Sequence, residues 1–222
     1  KYSEISRWWC LMFTDEQFIQ LEQEERTLTD EAIMVMLLIL ANTKGNLEKE
    51  LREFYQKYGR DGIVTYSEAR KWVSDQDHRR RLTALTVYAS MEFTSTLSKL
   101  KTELEKMLKS VISKETGFFD VEIEVDALLK MPWGENYTTW LDRLEADIDL
   151  WNVRITGDWK KAFLRGDPLD DVLLKLTKRF DTIKSVIESL GLSESTAIGS
   201  LARQKIFKEL GITKYQFYTK PD

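Results

Sequence analysis

The sequence predicts a mainly α protein. An elongated N-terminal half of long helices is followed by a small helical bundle, with a short β element near 119–125 and 215–218. Three observations carry this expectation. Apolar residues recur at spacings of three and four along most of the chain, the period of one helix face. Only 3 prolines and 10 glycines punctuate 222 residues, which suits long helices better than a turn-rich β fold. Two short stretches depart from the helical period, and they supply the β element. The expected organisation is a long-helix region over 1–117 and a second helical region over 118–222.

The chain opens with an apolar segment, Trp8-Trp9-Cys10-Leu11-Met12, which either folds back on the core or docks on a neighbouring chain. It begins with Lys1 rather than Met, so the expectation is that residues precede it. Thr14 is the expected N-cap of a long helix, with Asp15 and Glu16 in the first turn, where the helix dipole favours acids. An interruption is expected near Thr27 to Asp30, because Thr29 and Asp30 are themselves good caps. The ten-residue apolar run Ala32 to Ala41 is half the roughly 20 residues a bilayer span needs, and reads as a buried helix segment. Leu47, Leu51, Phe54, Tyr55 and Tyr58 continue the stripe until Gly59.

Thr65-Tyr66-Ser67-Glu68 matches a capping box and opens a short helix through Trp72. Leu82 to Val111 is a second long helix, expected to stop at Thr116-Gly117. Phe119, Val121, Ile123 and Val125 then alternate with acidic residues, the period of a strand. Pro132-Trp133-Gly134 makes a turn, because proline fixes its own φ and glycine relaxes it. Trp140, Leu144, Ile148, Trp151 and Ile155 form the inner face of the next helix, which runs on through Phe163 to Gly166. Asp167 as N-cap and Pro168 at the first helical position start another helix, lined by Leu169, Val172, Leu173, Leu176 and Phe180. A further helix over Ile183, Val186, Ile187 and Leu190 is closed by Gly191. Ser193 opens the last one, which Gly211 ends. Tyr215 to Tyr218 has strand character.

Function is harder to read. The net charge of -4 gives no global reason to bind nucleic acid. Cys10 is the only cysteine and His78 the only histidine, which rules out an intrachain disulfide and any His or Cys metal cluster within these residues. No catalytic, cofactor-binding or metal residue is assigned. Asp170 and Asp171 point in different helical directions, and Glu122 with Glu124 is explained by solvation rather than acid–base work. The run Arg79-Arg80-Arg81 supplies the DNA-contact candidates, although Asp75 and Asp77 neutralise it locally.

Several segments in order resemble the phage head-morphogenesis family, the minor head proteins similar to the F protein of phage Mu. They are the turn Met131-Pro132-Trp133-Gly134, the following helix with Trp140 and Arg143, and the helix end Leu164-Arg165-Gly166. The run from Leu169 to Phe180 follows, and then Phe207 through Gly211 to Tyr215 and Phe217. Leu51 to Tyr58 and Thr65 to Arg70 are similar to the opening helices of Gram-positive members, so the likeness spans roughly 47–220. The family pattern Arg-Thr-Glu at the last helix is here Leu192-Ser193-Glu194, keeping the acid without its basic neighbour. Where family members run on into a cysteine-containing segment, this chain reaches Pro221-Asp222, and the resemblance implies a continuation.

The resemblance implies a non-enzymatic minor capsid protein at the portal vertex, acting in head morphogenesis and genome packaging or ejection. Its implied locations are the virion and, during assembly, the host cytoplasm. The implied partners are the portal protein and other head proteins, with no cofactor and no membrane anchor. Trp8, Trp9, Leu11 and Met12 are the candidate partner contacts. The alternatives are the carrier part of a phage-encoded effector or toxin, and an internal DNA-contacting head protein.

Overall fold

A computed structural model describes residues 13–59, 63, 67, 70, 71, 74–133 and 137–212. Among these residues five helices are present: α1 (Asp15–Tyr58), α2 (Gln76–Phe119), α3 (Val125–Leu129), α4 (Trp140–Arg165) and α5 (Leu169–Glu209). No strand is found among them. The helices α1, α2 and α5 contain 44, 44 and 41 residues. At about 1.5 Å rise per residue each runs more than about 60 Å.

Local chemistry explains where α1 and α4 begin. Thr14 caps α1, accepting from the Gln17 N–H at 3.3 Å, while the Thr14 N–H donates to Gln17 Oε1 at 2.8 Å. Thr139 and Asp142 repeat that reciprocal pair at the start of α4. α4 ends as expected at Gly166, whose φ of 74° is the left-handed conformation glycine adopts freely.

The helices close on a single apolar core drawn from both sides of residue 118. It includes Leu47, Leu51 and Phe54 of α1, Phe93, Leu100 and Leu108 of α2, Leu144 and Phe163 of α4, and Ile187 and Ile198 of α5. Trp159, Tyr55 and Phe93 are its largest fully buried side chains. The apolar run Ala32 to Ala41 is only partly inside. Ile33, Met36 and Leu40 are buried, whereas Met34, Val35 and Leu38 face outward.

Five local expectations are corrected. The β element near 119–125 is absent, because Phe119 is the last residue of α2. Its ring is held among Phe13, Phe118 and Phe207, so the helix runs on. Asp120 then takes the left-handed conformation at φ 51°, the Val121 N–H returns to the Thr116 carbonyl, and Val125 opens α3. The same rings carry α2 through Thr116 and Gly117. The partner segment 215–218 lies outside the described residues, as do most of 60–73, including Thr65 and Glu68 of the capping box.

α1 continues unbroken through Thr27 to Asp30, because Thr29 is buried and its hydroxyl meets Ser195 of α5 at 2.6 Å instead of capping. Pro168, not Asp167, is the N-cap of α5; the Asp167 carboxylate takes Arg165 and Lys175 instead. Finally, Gly191 does not stop a helix. α5 passes straight through it, since a Cβ there would stand 2.7 Å from Ile33 Cγ1. The glycine marks a close approach of α5 to Ile33 of α1.

The two roles of glycine make opposite predictions. Gly191→Val should destabilise the fold by about 1–3 kcal/mol through overpacking against Ile33. Gly117→Ala, where nothing lies within 4 Å of the added methyl, should stabilise it by about 0.5–1 kcal/mol. Urea unfolding of the two variants measures both, and equal signs would contradict the assignment.

Candidate functional site

Three residues singled out in the sequence, Trp133, Arg143 and Glu194, meet at the start of α4. Arg143 stands in its first turn and reaches Glu194 on α5, 51 residues away, with Nε to Oε1 and Nη2 to Oε2 both at 2.7 Å. The third nitrogen, Nη1, donates to the Trp133 carbonyl and the Thr138 carbonyl at 2.9 Å each, and to Thr138 Oγ1 at 3.2 Å. The guanidinium also lies 5.6 Å from the centre of the Trp133 ring. One side chain thus ties the turn before α4 to the last helix.

Arginine suits this task because its planar fork donates in several directions while remaining charged. Glu194 is only 2% exposed. Burial pushes its carboxyl up from the ordinary range, and the hydrogen bonds and charge of Arg143 pull the other way. Removing one partner of a buried pair generally costs about 3–5 kcal/mol, since the other is left inside uncompensated. Glu194, with no basic neighbour at 192 or 193, takes Arg143 of α4 as its partner.

The other motif residues lie around this clasp or away from it. Trp140 is buried and its indole donates to the Leu129 carbonyl at 3.1 Å. Trp133 is half-buried against the core, and Pro132 is exposed. Phe180 is buried and stacks with Phe93 at 6.5 Å between centroids. Gly166 and Gly211 both hold positive φ at helix ends. Gly134, Tyr215 and Phe217 lie outside the described residues, and so do Trp8, Trp9, Leu11 and Met12. Arg79, Arg80 and Arg81 are exposed at the start of α2. Arg80 is 3.7 Å from Asp77, and Arg81 sits 4.9 Å over the Tyr58 ring. They do not converge on one face with the motif residues.

A second buried charge cluster was not anticipated from sequence. Arg203 of α5 makes a two-pronged pair with Glu115 of α2, and its Nη2 lies 3.8 Å from Glu25 of α1. Glu115 is fully buried, and Glu25 Oε1 has no hydrogen-bond partner. Two carboxylates share one cation, so one of them is best kept protonated. Burial, then the neighbouring Glu115, pushes the Glu25 carboxyl up to about 8. The signal in the sequence was a charge interrupting an apolar stripe: Glu115 follows Val111 and precedes Phe119 at helical spacing.

Neither cluster lines the groove between α1 and α2. A shallow groove of about 420 Å³ runs between α1 and α2, lined by residues such as Leu21, Lys114 and Phe118. Lys114 is occupied there by Glu24 at 2.6 Å. Among the described residues, no three His, Cys, Asp or Glu side chains gather to hold a metal, and no helix is long and apolar enough to cross a membrane. Both clusters can do one thing chemically: fix helices and a turn relative to one another. No protein-family model matches the chain, and no curated protein or solved structure matches it.

The carboxyl of Glu25 makes stability depend on pH. Its folded value lies above the ordinary 4.5, so the folded chain holds this proton more tightly than the unfolded one. That contribution is complete below about 4.5 and disappears as pH rises through about 8. Denaturant midpoints should accordingly fall between pH 5 and 9 for the parent chain, and Glu25→Gln should flatten the fall. An unchanged slope in the variant would show that Glu25 is ionised throughout.

Proposed function

We propose that the chain is a minor structural protein of a tailed-phage head, associated with the portal vertex and acting in head morphogenesis and in genome packaging or ejection. The observation that carries this reading is the clasp. Trp133 and Arg143, which carry part of the resemblance, and Glu194, the acid kept where the chain departs from it, are neighbours in space and bonded to one another. A motif of packing residues that maintains one turn–helix–helix geometry accounts for its order along the chain without any catalytic role. The long helices offer extended surface for a large protein partner.

On this reading the portal oligomer is the partner. The apolar segment Trp8 to Met12 is the proposed docking element, because aromatic residues anchor interfaces of about 800 Å² per side. The protein assembles in the host cytoplasm and ends in the virion. Co-expression with the portal protein of the same phage tests this. The full chain should co-purify with portal, and deletion of Lys1 to Met12 should abolish co-purification while helicity and melting temperature hold. Failure of the full chain to bind portal, or binding unaffected by the deletion, would contradict the proposal.

A further inference from the structure

The outer face of α1 carries a heptad stripe that no part of the described chain covers. Met34, Leu38, Ala41 and Gly45 follow one another at spacings of four, three and four, and all are exposed. Met34 and Leu38 keep 60% and 61% of their surface in solvent. Glu31 precedes the stripe by one step and Lys49 follows it by one. The pattern is graded twice: large residues then small ones, and an acid then a base.

We infer that this face is the contact between two copies of the chain, packed antiparallel through α1 about a two-fold axis between Leu38 and Ala41. Both gradients select that occupant. An antiparallel copy lays Met34 over the partner's Gly45 and Leu38 over the partner's Ala41, so each large side chain meets a small one. It also brings Glu31 to the partner's Lys49. A parallel copy would set Met34 on Met34, leave Gly45 facing Gly45 across a gap, and oppose like charges. The site at Gly45 is open, with nothing within 4 Å of where a Cβ would stand, so nothing among the described residues demands a glycine there. A glycine in mid-helix is unfavourable by about 1 kcal/mol relative to alanine, and a partner side chain seated on it supplies a reason for it. Lys49 is free to turn toward a partner: its side chain is 77% exposed and its contact with Glu53, at 3.9 Å, is loose. The stripe from Glu31 to Lys49 extends about 27 Å along the helix, matching the seam of a short antiparallel coiled coil. The contact is independent of any phage role.

Sedimentation equilibrium of the full chain is the test. The parent chain should be a monomer–dimer system with no higher species. Gly45→Leu fills the open seat, so it should raise the dimer dissociation constant by about tenfold or more while the monomer stays folded and helical. Glu31→Lys should weaken the dimer, and adding Lys49→Glu in the same chain should restore it. Met91→Glu, on the separate outward face of α2 where Met91 is 65% exposed, should change nothing. A chain that is monomeric at every concentration would overturn the inference. So would a dimer that survives Gly45→Leu, or one that Met91→Glu dissolves.

Discussion

Three helices of more than 40 residues each impose one constraint on everything else: every apolar stripe must find a partner along its whole length. Most of the stability of such a helix in a protein comes from burying its apolar face rather than from intrinsic propensity. The solution here is a bundle in which α1, α2 and α5 lie against one another, with α4 packed on α2 and α5. The core is therefore continuous, and residues far apart in sequence depend on the same packing. Glycine at 191 belongs to that constraint, since α1 and α5 meet there with no room for a side chain.

Apolar stripes alone do not choose between registers, because sliding one helix by a turn leaves leucine against leucine. The buried polar groups do choose. Thr43 meets Thr96 at 2.6 Å, Thr29 meets Ser195 at 2.6 Å, Arg203 meets Glu115, and Arg143 meets Glu194. A slip of one turn would part the buried charges from their partners, at a penalty of about 3–5 kcal/mol for each broken pair, while the threonine hydroxyls would keep only the bonds to their own helix's carbonyls. These pairs contribute specificity more than raw stability. In the same way Arg143 fixes the turn at Trp133 against Glu194 of α5.

How much of this was legible in the sequence depends on the distance over which each signal acts. The inner face of α4 was readable from Trp140 to Ile155, since its period and its cap are local. Gly166 was readable as a stop because the chain turns there. Gly191 was not, because close helix contact and helix termination both call for glycine, and only the position of Ile33 separates them. The alternation from Phe119 to Val125 imitated a strand because two helix ends and a short link happened to supply its beats. The pairing of Arg143 with Glu194 and of Arg203 with Glu115 spans 51 and 88 residues. No local pattern reports such a partner; the only hint was an acid where an apolar residue was due.

Cysteine cross-linking tests the register most directly. The hydroxyls of Thr43 and Thr96 are 2.6 Å apart, close to the sulfur–sulfur distance of about 2.05 Å in a disulfide. In a Cys10→Ser background, Thr43→Cys with Thr96→Cys should oxidise to completion under native conditions. Thr43→Cys with Leu100→Cys, one turn out of register, should not. Equal bridging of both pairs, or bridging of the offset pair alone, would contradict a register held by buried polar contacts.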